Sequence, residues 1–305
     1  MQNYGRLPVK FEKGTGAWLW DIDGKKYLDA LCGIAVTGVG HAHPDVNRAI
    51  SKQLEKLSHV SNLYRIEEQE ELAKRICTLS GLENAFFCNS GSEANEAAIK
   101  IARLFGHNRG IKHPEILVME KAWHGRSLAT LTATGSELAQ KGFGPLVPGF
   151  IRVPYDNSKT LTEKIEKNKN IVAVMVEPIQ GEAGIKIPSS EYLTNLRKIC
   201  DDHGILLIFD EVQTGMGRTG TWFAYQHTGA SPDILTIAKG LGNGFPIGAC
   251  IARGEAAQLF GPGSHGTTFG GNPVGCAAAL AVFSVIEKND LLSNAKLMGN
   301  LIIQD

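Results

Sequence analysis

Two reactive side chains, an acid and an amine, each follow a short apolar run directly. The run at residues 205–209 leads into Asp210, and the run at residues 234–238 leads into Lys239. Apolar runs of this length, bounded by polar and turn residues, are typical of buried strands. Ligands of open α/β sheets bind at the carboxyl ends of the strands, so we expect this carboxylate and this amine to share a site. Such a pair can stabilise a cation on a ligand and form an imine with a ligand carbonyl.

A second motif is typical of an anion site. The predicted strand Asn84–Cys88 is followed by the sequence NSGSEANE (residues 89–96) and by a helical run at residues 97–105. The first N–H groups of a helix have no partner inside the helix, and the helix dipole favours negative charge there. Gly91 would let the backbone approach an anion closely, and Ser92 could add a hydroxyl donor. The alternative is an ordinary helix cap, because serine and asparagine are favoured at that position.

Further candidate residues follow the neighbouring predicted strands. After Glu115–Met119 come Trp123, which could stack on a planar ring, and Arg126, which could bind a carboxylate through two hydrogen bonds. The alternative is a surface loop with a half-buried tryptophan. After Ile171–Val176 comes a turn that carries Glu182. Pyridoxal phosphate (PLP) needs a covalent anchor, a partner for its pyridine nitrogen, a stacking face and a phosphate cradle, and these motifs together predict a PLP site.

The elements that must position these residues alternate between strand and helix. This alternation predicts an α/β fold with a mostly parallel central sheet, right-handed crossovers and flanking helices. A hairpin around the Asp-Gly turn at residues 21–24 precedes it. The predicted helices span residues 45–57, 67–79, 97–105, 191–203, 274–286 and 289–303. A further strand is predicted at residues 247–251, and the Gly- and Pro-rich residues 135–150 predict a long loop.

Composition narrows the possible partners and compartment. The 305 residues carry 31 basic and 31 acidic side chains, so bulk charge favours neither a nucleic-acid nor a membrane partner. The six cysteines are scattered without a CxxC pair, which indicates reduced thiols, and no cysteine, histidine and carboxylate cluster suggests a metal. The N-terminus has no apolar signal region, and no apolar run approaches the length of a membrane helix. We therefore expect a cytoplasmic protein without a metal.

Several longer motifs match one known family. They are GVGHAHP (residues 38–44), SNLY (61–64), NSGSEANE (89–96), WHGR (123–126), EPIQGE (177–182), DEVQTGMGRTG (210–220), AKG (238–240) and HGTTFGGNP (265–273). With these motifs the chain resembles the class III, fold type I, PLP-dependent aminotransferases over nearly its whole length. The eleven-residue motif combined with the downstream lysine is highly specific for the class.

The resemblance implies a role for each residue near the cofactor ring. Lys239 would hold PLP covalently and move the proton during catalysis, and Asp210 would pair with the pyridine nitrogen. Gln213 would bond the ring hydroxyl, Val212 would pack on one ring face, and Glu211 is counted with the cofactor-binding residues.

The resemblance also assigns the remaining cofactor contacts. Trp123 would stack on the second ring face, where family members often have phenylalanine. Gly91 and Ser92 would donate to the phosphate. Thr268 would reach the phosphate of the cofactor in a neighbouring subunit, which implies a homodimer with shared active sites.

On the substrate side, Arg126 would hold a carboxylate, Thr267 would contact the acylated substrate, and Glu182 would pair with an arginine that recognises α-carboxylates. The implied reaction moves the terminal amino group of N2-acetyl-L-ornithine to 2-oxoglutarate. Ornithine, succinyldiaminopimelate and 4-aminobutyrate are the alternative donors, and a truncated, non-catalytic PLP-binding protein is the alternative of another class.

The family pattern also predicts a division of the chain. We expect an N-terminal segment at residues 1–50 (hairpin and first helix), a large PLP-binding domain at 51–288 and the start of a truncated C-terminal domain at 289–305. The arginine partner of Glu182 belongs to that C-terminal part in the family, so we expect its contribution to be absent from this sequence.

Overall fold

The protein forms an α/β fold whose central sheet has seven strands, as seen in a computed structural model that describes residues 1–304. Asp305, the last residue of the predicted C-terminal segment, lies outside the described residues. The strands are β1 (Phe11–Thr15), β2 (Trp18–Asp21), β3 (Lys26–Leu28), β4 (Asn84–Cys88), β5 (Glu115–Met119), β6 (Phe150–Val153), β7 (Ile171–Val176), β8 (Leu206–Asp210), β9 (Ile234–Ile237) and β10 (Gly248–Ala252).

The α-helices flank this sheet and continue beyond it. They are α1 (Cys32–Ala35), α2 (Pro44–Lys56), α3 (Glu67–Ser80), α4 (Gly91–Asn108), α5 (Leu128–Ala133), α6 (Glu137–Gln140), α7 (Ser158–Lys167), α8 (Tyr192–His203), α9 (Gly254–Ala257), α10 (Pro273–Lys288) and α11 (Leu291–Gln304). Within the described range, no helix is long and apolar enough to cross a membrane.

The central sheet is parallel except for one strand. Its order is β4-β10-β9-β8-β7-β5-β6, and β10 runs antiparallel to both of its neighbours. Every residue of β7, β8 and β9 is buried, since helices cover both faces of the sheet. The prediction of a mostly parallel α/β sheet is therefore confirmed.

Strand register brings the candidate residues to one edge. Asp210 pairs with Thr236 across β8 and β9, so Lys239 comes only three residues after that pair along the chain. The loops that follow β4, β5 and β7 leave the sheet at the same edge, because these strands run parallel to β8. The reversed strand β10 contributes its beginning there rather than its end.

The N-terminal hairpin and the long helices agree with the sequence. β2 and β3 pair antiparallel around the Asp-Gly turn, and β1 adds a third strand to this small sheet. The helix α2 begins at Pro44, whose missing N–H costs nothing at a first helical position. It packs against α10, an alanine-rich helix that is largely buried.

The prediction of one long loop over residues 135–150 is wrong. They contain the short helix α6, and β6 begins at Phe150. The edge strand β6 has four residues with no fully buried apolar pattern, and only Val153 is buried. Its strand state depends on parallel pairing with β5, which local sequence does not encode.

Candidate active site

The carboxyl edge of the sheet surrounds a cavity of about 310 Å³. Side chains or backbone from the ends of β4, β5, β7, β8 and β9 line it, together with the segment before β10. The lining includes Gly91, Ser92, Trp123, Glu182, Asp210, Val212, Gln213 and Lys239. The structure thus brings together eight of the site residues that were predicted from the sequence.

Asp210 is held rigidly at the bottom of this cavity. Its side chain is 3% exposed. One carboxylate oxygen, Oδ2, accepts from Asn95 Nδ2 and pairs with His124 Nδ1, each at 2.7 Å. The other, Oδ1, accepts from the backbone N–H of Val212 at 3.0 Å. These donors fix the orientation of the carboxylate and stabilise its negative charge.

The two side chains that hold Asp210 were missed by sequence reasoning. Asn95 also donates to the backbone oxygen of His124 and accepts from the Thr236 hydroxyl at 2.7 Å, so it is fully engaged. It lies one helical turn after Gly91 on α4, a spacing that places both residues on the same face. That spacing was the available signal. His124 stands next to Trp123 in the sequence, yet nothing local indicates that it turns towards the sheet.

Lys239 lies in an unusual backbone conformation. Its φ is +42°, a region that few non-glycine residues occupy and that is frequent at functional sites. Burial is the main cause that lowers the pKa of its amine, and it outweighs the nearby carboxylate of Asp210. A lowered pKa increases the neutral, nucleophilic fraction of the amine, which imine formation requires.

The start of α4 forms an anion cradle at another wall. Ser90 caps the helix by accepting from the N–H of Glu93, so the predicted capping role is real. A side chain at Gly91 would lie 2.6 Å from a methyl carbon of Val212, so only glycine fits without displacement. Ser92 adds a hydroxyl at the same helix end. The cap and the cradle therefore coexist, because the cap uses the N–H of Glu93 while Gly91 and Ser92 line the cavity at the helix start.

Trp123, Val212 and Gln213 line the cavity between these two ends. Gly181 packs closely on Gln213, since an added side chain there would come within 1.7 Å of the Gln213 amide oxygen. The available surfaces are thus an indole, a branched aliphatic group and an amide, which suit a flat aromatic ligand with a polar substituent.

Three other predicted residues lie outside the lining of this cavity. Arg126 is exposed and stacks on Trp123, with 4.6 Å between the guanidinium carbon and the ring centre. The Thr267 hydroxyl accepts a hydrogen bond from the backbone N–H of Gly270. Thr268, the next residue on the same loop, is exposed. Their predicted roles in substrate binding and in a neighbouring subunit stay predictions.

Glu211, which was also predicted to bind the cofactor, likewise lies outside the cavity lining. Its carboxylate is buried and accepts from the backbone N–H groups of Ala224 and Tyr225 and from the Thr214 hydroxyl. Alternation along an extended segment explains this, because neighbouring residues point to opposite sides. We assign Glu211 to the folding of the loop after β8 rather than to cofactor binding.

This assignment predicts a pH-dependent stability. Burial is the main cause that raises the pKa of both Glu177 and Glu211 to about 7, from an ordinary value of 4.5. A raised pKa means tighter proton binding in the folded state, so this stabilisation is complete below 4.5 and is lost as pH rises through about 7. We expect the free energy of unfolding in urea to decline over that window, and to decline less in Glu211→Gln. Identical pH slopes for the two proteins would contradict the assignment.

The cavity fits PLP on observations of its own. It offers a glycine cradle at a helix start for a phosphate, a buried and hydrogen-bonded carboxylate for a ring nitrogen, and a desolvated amine for a carbonyl. Fold and site together define a PLP-dependent α/β enzyme.

Comparison with known proteins gives the family. Residues 1–305 match the model of the class-III aminotransferases. The acetylornithine aminotransferase of Nitrosomonas europaea is 56% identical over 305 residues, which cover all of this chain and 78% of that protein. That of Methanocaldococcus jannaschii is 54% identical over 289 residues, covering 94% of this chain and 72% of that one.

Solved structures agree with this result. The ornithine aminotransferase from Toxoplasma gondii superposes with a TM-score of 0.96 at 35% identity, covering 99% of this chain and 72% of that chain. The acetylornithine aminotransferase from Elizabethkingia anophelis gives a TM-score of 0.88 at 37% identity, with 99% and 73% coverage. The chain belongs to the class-III aminotransferase family, whose members depend on PLP.

Proposed function

We propose that this chain transfers the terminal amino group of N2-acetyl-L-ornithine to 2-oxoglutarate. The products are N-acetyl-L-glutamate 5-semialdehyde and L-glutamate, and the reaction belongs to arginine biosynthesis. The observation that carries the proposal is the cavity that joins Asp210, Lys239 and the α4 cradle, in a chain 56% identical to an acetylornithine aminotransferase.

PLP, when bound, supplies an electron sink that makes a proton next to the amino group removable. Asp210 would stabilise the protonated ring nitrogen on which that sink depends. Asn95 and His124 keep the carboxylate aimed at the cavity, so no reorganisation is needed when charge develops. Lys239 would hold the cofactor through its side-chain amine, and Nζ would take and return the substrate proton.

The other lining residues bind and orient. Gly91 and Ser92 would donate to the phosphate, and Trp123 and Val212 would enclose the ring. Gln213 would bond the ring hydroxyl through its amide. Together these residues would orient the cofactor, and positioning of this kind contributes strongly to rate.

Substrate recognition is assigned to the cavity mouth. Glu182 lines the cavity and is exposed, so its charge can reach an incoming cation. Arg126 lies over Trp123, from where its guanidinium can hold a carboxylate through two hydrogen bonds. Thr267 lies on the loop between α9 and α10, where its hydroxyl accepts from Asn89 at 3.4 Å, and it is the candidate contact for the acetyl group.

We also propose a homodimer, in which Thr268 donates to the phosphate bound by the partner subunit. Its exposure leaves the hydroxyl free for such a contact. We retain residues 51–288 as the cofactor-binding domain. All six cysteines are free thiols, which suits the reducing environment of the cytoplasm.

An amine-donor panel tests the proposed substrate. PLP-loaded protein is incubated with 2-oxoglutarate and one of N2-acetyl-L-ornithine, ornithine, succinyldiaminopimelate or 4-aminobutyrate, and L-glutamate formation is measured. We expect kcat/KM for the acetylated donor to exceed that of the others by at least ~10-fold. Ornithine is the sharpest competitor, given the ornithine aminotransferase structure with a TM-score of 0.96. If ornithine or 4-aminobutyrate were faster, the substrate assignment would be wrong.

A further inference from the structure

Glu177 is a buried acid in the wall of the cavity, and it is not among the cofactor or substrate contacts proposed above. It follows β7 directly and is 5% exposed. One oxygen, Oε1, accepts from the backbone N–H of Trp123 at 2.8 Å. The other, Oε2, accepts from the backbone N–H of Gly181 at 3.3 Å. The carboxylate therefore bridges two separate loops.

Each bridged loop carries residues of the site. The β5 loop (residues 120–127) carries Trp123 and Arg126, and the β7 loop (residues 178–186) carries Glu182. Gly181 also packs against Gln213, so the position of its backbone limits where that amide can lie. Fixing the distance between the loops thus fixes a ring face, an amide and a substrate acid relative to one another.

Gln180 makes a second connection between the two loops. Gln180 donates from Nε2 to the backbone oxygen of Glu120 at 2.9 Å. Gln180 and Lys186 exchange two backbone hydrogen bonds, which close the β7 loop on itself. The Gln180 bond ties this closed loop to the start of the β5 loop. The two hydrogen bonds of Glu177 lie further along each loop, at Trp123 and Gly181, next to the side chains that line the cavity.

The bridge requires two acceptor oxygens on one side chain. Two backbone N–H donors face two oxygens, and a glutamine has only one acceptor oxygen. Its NH2 group would face one of the N–H donors, which leaves a buried donor unpaired and pushes the loops apart. Packing alone would be satisfied by a glutamine, which has nearly the same shape but lacks the second acceptor oxygen.

We propose that Glu177 is a positioning residue of the active site: its carboxylate holds Trp123 and Gly181 at a fixed separation and thereby sets the ring face relative to the Glu182 loop. This inference rests on the proposed function only for its kinetic readout. The geometry of cofactor binding is affected whichever amine is the donor.

The test compares Glu177→Gln with wild-type protein, both loaded with PLP. The first readout is the circular dichroism of the visible cofactor band per bound PLP, which reports the asymmetry of the ring environment. We expect this signal to fall at least ~2-fold and kcat/KM to fall roughly 10-fold, because misplaced reactive groups are costly. Since the dichroism is recorded without a donor, it stays informative if N2-acetyl-L-ornithine is not the substrate.

Asp233→Asn is the matched control. Asp233 also accepts a backbone N–H, from Leu207 at 2.8 Å, and pairs with Arg197, but it precedes β9 at the opposite edge of the sheet. We expect this variant to lose stability while its cofactor dichroism and kcat/KM stay within about twofold of wild type, as substitutions far from reacting groups do.

Glu177→Asp provides a second variant if Glu177→Gln does not fold. Glu177→Asp keeps two acceptor oxygens on a shorter side chain. We expect its dichroism to lie between those of wild type and Glu177→Gln. If Glu177→Gln does not fold, we expect the dichroism of Glu177→Asp to lie below that of wild type. A folded Glu177 variant that matched wild type in dichroism and in kcat/KM, and lost only stability as the control does, would overturn the proposal.

Discussion

Lys239→Ala is expected to abolish transamination and to remove the covalent visible absorption band of bound PLP. The amine lies in the cavity with a pKa lowered by burial, and no other lysine lines that cavity among the described residues. Loss of both a covalent anchor and a general base costs at least ~10⁴-fold in rate. Steady-state formation of L-glutamate and the absorption spectrum after gel filtration measure the two effects.

Lys121→Ala is a suitable control for this experiment. Lys121 lies on the β5 loop, is exposed and does not line the cavity. We expect this variant to keep the absorption band. If Lys239→Ala retained both the band and the turnover, a different amine would have to anchor the cofactor.

Asp210→Asn is expected to keep the covalent band and to lose most of the rate. Asp210 accepts hydrogen bonds from three donors: Asn95, His124 and the backbone N–H of Val212. An asparagine at this position offers one oxygen, and it carries no charge to stabilise a protonated ring nitrogen. Loss of one preorganised electrostatic group costs about 10²- to 10³-fold in kcat.

The measurement is single-turnover conversion with excess donor, monitored by the decay of the visible band. Asp233→Asn again serves as the control, because it changes a carboxylate at the far edge of the same sheet. A rate for Asp210→Asn within threefold of wild type would mean that this carboxylate does not support the chemistry.

Much of the site was predictable because strand ends fix positions. Asp210 and Lys239 end neighbouring apolar runs, and β8 and β9 are adjacent in the sheet, so two local patterns were sufficient to place both residues. Gly91 was predictable for a similar reason, since a strand, a turn and a helix start follow one another there.

The missed residues depend on contacts between distant segments. His124 reaches Asp210 from 86 positions away, and Thr236 reaches Asn95 from 141 away. No periodicity encodes such a pair, because its partners meet only once the sheet has formed. For Glu211 the error is the reverse, because a residue predicted to reach the cavity does not reach it. Glu211 follows Asp210 directly in the sequence, but its carboxylate points to the opposite side and accepts from the backbone N–H of Ala224.

The edge strand β6 gives the corresponding lesson for the fold. The four-residue strand β9 is mostly apolar and buried throughout, whereas the equally short β6 contains Arg152 and has only Val153 buried. Its place beside β5 is set by pairing, so a sequence pattern alone could not distinguish it from a loop.

Peptide mapping after borohydride reduction tests the central claim most directly. Reduction of the PLP-loaded protein makes the bond between the cofactor and its lysine permanent, and mass spectrometry of a digest then identifies the labelled residue. We predict one labelled site, Lys239, with no label in the Lys239→Ala variant. Label on another lysine, or no label after reduction, would contradict the account.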